Sequence, residues 1–348
     1  MKCLGNLISI FCFLGLSGCA LFSSDETVAD LDKIAEFDKK IQISEIGEPK
    51  KDQEVKTIPM AKEEKKGTKR EKPKPAKKSK ASAPIKKDEK PTVHFPEFED
   101  SEGFIGRRPV NDPYRIGEKV VLAVKYFGVV AGDLTLEVGK MVEVNGRKSY
   151  TFITDVKSNS SFAIFYKVDD NIKTFVDYDN LVPMGYSLRI RETNDTKEGR
   201  GVFDWSAMKA FNWKKYIDDG KVKEEKDEHP LEPFSQNVYS AIFYLRNFKL
   251  AVGKQIVFRV NDAGKTLLFK GQVLRKETLE TALGPKETFV IKPQFELDGI
   301  FKPVGDIYMW ITDDDRKYLV RVESKIKIGK IVGDLKAIEP GEDLPASP

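Results

Sequence analysis

Few side chains in this sequence have the type and spacing to do chemistry. Asn261-Asp262-Ala263-Gly264-Lys265-Thr266 ends like a phosphate-binding loop. The first glycine of that pattern falls at Arg259, so the backbone cradle for phosphate is missing. Ser206-Ala207-Met208-Lys209 and Ser324-Lys325-Ile326-Lys327 carry the spacing of a serine nucleophile with a lysine base, but both lie in strand-like context without companion motifs. The chain has two histidines: His94 in a polar stretch and His229 within Asp227-Glu228-His229-Pro230, which reads as an acidic surface loop. Asp313, Asp314 and Asp315 have the oxygens for a hard cation but not the spacing of an EF-hand loop, and read better as a turn. Glu224, Glu225 and Lys226 read as a solvated charge run. No catalytic constellation, cofactor motif or metal-ligand cluster stands out, and no enzyme is expected.

The remaining signal is aromatic. Phe203, Trp205, Phe211 and Trp213 alternate around a turn, and Tyr308 and Trp310 share one face of a strand. Such rings line apolar cavities or one side of a sugar site, and more often simply fill a core.

The elements that must position these groups differ along the chain. After Lys2 an apolar stretch of about a dozen residues, Leu4 to Leu16, is too short to span a bilayer and has the form of a signal peptide. It ends in Leu16-Ser17-Gly18-Cys19, which resembles the lipobox of bacterial lipoproteins. The resemblance implies cleavage before Cys19, its acylation with three chains, and anchoring to a membrane. Ala20 rather than Asp at the next position implies, in enteric-type sorting, the outer membrane facing the periplasm. Export makes nucleic acid an unexpected partner.

Residues 19–92 read as the lipidated N-terminus and a disordered tether. Val28, Leu31, Ile34 and Ile41 give one weak helical stripe. From Pro49 to Thr92 there are 16 basic and 7 acidic residues, a net of +9, with Pro73, Pro75, Pro84 and Pro91 interrupting a Lys/Ala/Ser composition. Such a segment cannot bury enough apolar surface to offset its ordering entropy. As a coil of this length it spans roughly 50 Å. Its charge fits a solvated spacer or a strand that binds an anionic cell-wall polymer. The remaining domain, from Val93, is close to neutral.

Residues 93–112 read as a connecting segment, 113–337 as a β-domain and 338–348 as a flexible tail. Within the β-domain, Val120-Leu122-Val124-Tyr126 and Leu134-Leu136-Val138 alternate apolar and other residues, and similar runs recur around 150–156, 172–176, 186–190, 256–260, 267–273, 289–291, 307–311, 318–322 and 326–328. Asn145-Gly146 predicts a tight hairpin turn, and Asp262-Ala263-Gly264 and Asp313–Asp315 predict others. About a dozen short strands imply an all-β, mainly antiparallel barrel or sandwich. One helix breaks the pattern: Val238, Ile242, Phe243, Leu245 and Phe248 predict about three turns over Ser235–Phe248, capped by Ser235.

Pro233-Phe234-Ser235-Gln236-Asn237-Val238-Tyr239, leading to Tyr244-Leu245-Arg246, resembles the central motif of the bacterial envelope family called domain of unknown function 3108. Tyr126-Phe127-Gly128-Val129-Val130-Ala131-Gly132 resembles its first strand pair, and Met309-Trp310-Ile311-Thr312-Asp313-Asp314 its closing hairpin. The sequence departs at Tyr318, where the family often has a Leu-Pro pair nearby. The resemblance covers about residues 113–337 and implies a periplasmic β-fold with no established activity. The expectation is therefore a membrane-anchored envelope lipoprotein whose β-domain binds an apolar or amphipathic envelope component such as a lipid, with Tyr239, Tyr244, Arg246 and Trp310 as candidate ligand-lining residues. The alternative is an assembly protein whose tether bridges membrane and cell wall; a polymer hydrolase ranks last.

Overall fold

The computed structural model describes residues 35–46, 99–262, 264–297, 300–302, 306–326 and 328–342. The expected signal peptide, Cys19 and most of the expected tether lie outside them. In chain order the elements are α1 (Ala35–Lys40), β1 (Ile43–Glu45), β2 (Phe104–Ile105), β3 (Arg108–Pro109), β4 (Lys119–Tyr126), β5 (Val129–Val138), β6 (Val142–Val144), β7 (Arg147–Ser158), α2 (Ser160–Ala163), β8 (Asp169–Asp177), β9 (Pro183–Arg191), β10 (Thr196–Asp204), β11 (Lys209–Asp218) and β12 (Lys221–Pro230). After them come β13 (Gln236–Asn237), α3 (Ala241–Leu245), β14 (Gln255–Asp262), β15 (Lys265–Leu279), β16 (Lys286–Leu297), β17 (Ile300–Lys302), β18 (Asp306–Thr312), β19 (Leu319–Lys325) and β20 (Lys330–Glu339).

All but β2 and β3 belong to one sheet. Its main ladder is antiparallel and almost sequential. It runs β12, β11, β10, β9, β8, β7, β5, β4, then through β20, β19, β18, β16 and β15 to β14. The pairing of β20 with β4 joins the two halves of the chain. β13 adds to β14 in parallel, and there the seam with β12 is bridged by a side chain: His229 Nε2 lies 3.1 Å from Asn261 Oδ1. The sheet wraps around α3. Phe243 of that helix stacks on Phe152 of β7 at 4.3 Å, and its neighbour Tyr244 packs edge-on against Phe258 of β14 at 5.1 Å. Strand alternation supplies the interior: Leu134, Leu136 and Val138 of β5 and Tyr150, Phe152 and Val156 of β7 point inward and share one core cluster with α3.

The turns follow the residues expected for them. Asn145 and Gly146 both take positive φ, 50° and 77°, in the two-residue β6–β7 hairpin. Gly132 is required for another reason: a Cβ there would sit 2.1 Å from the Lys157 carbonyl oxygen.

Four expectations are corrected. The helix is shorter than Ser235–Phe248, because Gln236 and Asn237 enter β13 and Asn237 Oδ1 then accepts from the Tyr239 and Ser240 amides, which delays the first helical turn. Residue 240, not Ser235, precedes the helix, and Arg246, Asn247 and Phe248 wind on with bonds three residues back. Ile326 and Ile328 are not in a strand but lie between β19 and β20. Asp227–Pro230, expected as a surface loop, is part of strand β12, in which Glu224, Glu225 and Lys226 are exposed; ten register pairs with β11 hold the strand, and its Lys/Glu side chains cover an edge that apolar residues would leave prone to association.

The folded body also takes in residues outside 113–337. Phe37 and Ile41 of the α1 segment are buried against Val144, Phe175, Val202 and Trp213, and β1 pairs with β6. One weak apolar stripe thus suffices for a docked segment because the barrel supplies the other half of the contact. Glu99 and Arg107 are buried, and Glu342 pairs with Ile116.

Candidate functional site

An apolar cavity of about 100 Å³ lies between α3 and the inner face of the sheet. Ile242 and Leu245 of α3 form one wall, with Val238 and Tyr239 just before it. Leu134 and Leu136 of β5, Phe269 of β15, Phe295 of β16 and Ile307 and Met309 of β18 form the others. The alternation of each strand aims these side chains inward, and the i, i+3 offset of Ile242 and Leu245 puts both on the same side of the helix.

Thr154 and Tyr239 are the polar side chains of this lining, and of the two Tyr239 is the sequence candidate. Its ring packs 5.7 Å from that of Tyr186, and burial, then the neighbouring Tyr186, Asp262 and Asp170, push its phenol well above the usual range. Its hydroxyl makes no hydrogen bond among the described residues, so it remains neutral with an unused donor.

The other three candidates lie elsewhere. Tyr244 is buried in a network with the connecting segment: Arg107 Nη2 donates to its hydroxyl at 2.7 Å, that hydroxyl donates to Glu99 Oε1 at 3.1 Å, and Arg107 also pairs with Glu99. Arg246 donates to Glu118 Oε1 at 2.6 Å and to the carbonyls of Pro113 and Arg316, while Arg316 donates to Glu118 Oε2 at 2.6 Å. Glu118, shared by Arg246 and Arg316, locks the chain after α3 to the start of β4. Trp310 lies on the face of β18 opposite Ile307 and Met309. Its indole donates to Glu277, and the Arg321 guanidinium sits 5.3 Å over its ring. Of the four, the fold brings Tyr239 alone to the cavity. Ile242, Phe269, Phe295 and Met309 were missed as lining residues because their apolar pattern matches that of any core position.

The aromatic set divides in the same way. Phe203, Trp205 and Phe211 line a second, more open groove of about 700 Å³ with Met184, Met208 and Phe234, whereas Trp213 is buried against Phe37 and donates to Glu36. The nucleophile-like serines are occupied: Ser206 Oγ donates to Asp204 in the β10–β11 turn, and Ser324 is buried within β19. Asn261–Thr266 is the β14–β15 hairpin. Asp314 Oδ1 accepts from the amides of Arg316 and Lys317 and from the Thr312 hydroxyl, which is the work of a turn. His229 is not the solvent-facing loop residue expected. Its ring bridges Asp227 and Asn261, and the Asp227 hydrogen bond raises its pKa.

These observations define a class: a β-barrel-like domain wrapped around a short helix, with an apolar cavity beside that helix. The family described as Protein of unknown function (DUF3108) matches residues 122–336, and the chain belongs to that family. No curated protein matches the chain. Among solved structures it is similar to the beta-barrel-like protein of domain of unknown function DUF1849 from Brucella abortus. The identity is 10% and the TM-score 0.39, over 64% of this chain and 97% of that one.

Proposed function

We propose that this protein is an envelope lipoprotein, anchored through Cys19, whose barrel binds the alkyl terminus of an amphipathic envelope component. The observation that carries the reading is the apolar cavity beside α3 with the unpaired Tyr239 hydroxyl on its wall. The volume sets the ligand. About 100 Å³ is smaller than the roughly 150 Å³ apolar cavity that takes up benzene, so a short alkyl end fits and a whole lipid does not. The Tyr239 donor suits an ester or hydroxyl oxygen near that end.

The lipobox-like Leu16-Ser17-Gly18-Cys19 and Ala20 support an outer-membrane anchor facing the periplasm. The +9 stretch from Pro49 to Thr92 supports a tether that reaches from that anchor and contacts anionic cell-wall polymer. Binding of a fluorescent fatty acyl probe tests the cavity. The chain should bind it, and Ile242→Trp, which fills the space, should abolish binding while leaving the far-ultraviolet spectrum unchanged. Equal binding by both chains would refute the site.

A further inference from the structure

Three neighbouring tips at one end of the barrel are apolar and exposed. Phe127 at the β4–β5 turn is 67% exposed, Ile164 and Phe165 after α2 are 80% and 81% exposed, and Ile328 at the β19–β20 turn is 65% exposed. The tips touch. The Tyr126 hydroxyl donates to the Ile328 carbonyl at 3.2 Å, and the Phe127 ring lies 3.1 Å from where a Cβ on Gly329 would stand. Asn159, which caps α2, donates its side-chain amide to the Val130 carbonyl at 2.6 Å and its backbone amide to the Ala131 carbonyl at 2.9 Å. A contiguous rim results, extended by the exposed Val129 and Val130.

Lysines flank the three tips; Lys125 pairs with Asp334 at 2.9 Å and Lys330 with Glu323 at 3.2 Å, while Lys157, Lys167 and Lys325 make no ion pair among the described residues. From Lys125 to Gly132, from Lys157 to Val168 and from Ser324 to Gly333 the sequence contains six lysines and no acidic residue. The turns at the other end are mixed, with Asp179, Glu280 and Asp313 to Asp315 beside Lys140, Lys286, Arg316 and Lys317. Water-exposed aromatic and branched side chains at loop tips leave most of their apolar surface unburied by the barrel's own packing. With lysines beside them they match an interface where apolar groups enter the acyl boundary and ammonium groups meet anionic headgroups.

We propose that this rim is a membrane-docking face that inserts Phe127, Ile164, Phe165 and Ile328 into a bilayer containing anionic lipid. The rim is separate from the cavity lining and does not depend on the cavity having an occupant. An anchored chain would meet the membrane at two places, its N-terminus and this end of the barrel, which fixes the orientation of the domain.

The test uses the full chain with Cys3, Cys12 and Cys19 replaced by serine and one new cysteine, Phe165→Cys, Ile328→Cys or, at the opposite end, Leu283→Cys. Each carries an environment-sensitive dye. Vesicles of phosphatidylethanolamine and phosphatidylglycerol should blue-shift the dye at 165 and 328 and leave it unmoved at 283. The basic N-terminal stretch brings every variant to such vesicles, so the dye position reports the rim alone. No shift at 165 and 328, or an equal shift at 283, would overturn the proposal. An equal shift with a soluble polyanion such as dextran sulfate would also overturn it, in favour of an anionic polymer. In a second measurement the unlabelled Phe165→Ser chain should partition to the vesicles about tenfold more weakly than its parent, and unchanged partition would contradict insertion.

Discussion

Arg107 and Tyr244 stand 137 positions apart in the chain and are joined by a 2.7 Å hydrogen bond inside the protein. Through it the segment that precedes the barrel is tied to the helix that walls the cavity. Glu99 completes the group by pairing with Arg107 and accepting from the Tyr244 hydroxyl. Tyr244→Phe leaves two buried charged groups each short of a partner. The expected loss is about 1–3 kcal/mol in urea unfolding. A loss near zero would show that the network does not hold the helix.

Glu118 is the shared partner of Arg246 and Arg316 and is itself buried. Glu118→Ala strands the buried Arg246 guanidinium, with an expected cost of about 3–5 kcal/mol. Glu118→Gln keeps an acceptor and should cost less. The order of the two unfolding midpoints checks this, and an alanine variant as stable as the glutamine one would contradict it.

Asp170 gives stability a pH dependence. Burial first, and then the nearby Glu192 charge, raise its pKa from 3.8 to about 7. The native chain therefore holds a proton that the unfolded chain has released, and stability falls as pH rises from about 4 to about 7. Asp262, pushed up to about 6 by burial, acts with the same sign. Asp170→Asn can still accept from the Arg191 amide, as Asp170 Oδ1 does at 3.1 Å, without becoming charged. Its stability relative to the parent should increase by about 2 kcal/mol between pH 5 and pH 8 in urea titrations. A constant difference would remove Asp170 as the source.

Most of the barrel is legible in the sequence because half-buried strands must alternate. Leu134, Leu136 and Val138, or Tyr150 and Phe152, announce both an element and its inward face. The β11–β12 hairpin edge is hidden because Lys221–Pro230 needs no apolar residue to form a strand; its partners are the β11 backbone. Ile326 and Ile328 mislead because a turn tip that faces outward carries the same residues as a strand interior. The site is hidden for a related reason: Ile242 and Met309 border a cavity rather than fill it, and a gap between side chains leaves no mark on residue type. Tyr239 is legible because a phenol in an apolar run carries a hydroxyl that needs a partner, and among the described residues this one has none.

The docked N-terminal segment yields a fourth expectation. Phe37 packs edge-on against Trp213 at 6.3 Å, and Lys226 pairs with Glu36 at 2.6 Å. Phe37→Ala should detach the segment while the barrel persists. Trypsin would then cut at Lys39 and Lys40 faster than it does in the parent. Equal resistance in parent and variant would show that β1 alone secures the segment.

The most direct test of the cavity's role is native mass spectrometry of the full chain, purified from its own envelope and released from detergent micelles in the gas phase, followed by organic extraction. An adduct of acyl-lipid mass, present in the parent and lost in Ile242→Trp, is the predicted result. A parent mass of the chain with its own Cys19 anchor and nothing more, or an adduct that survives in Ile242→Trp, would contradict the account.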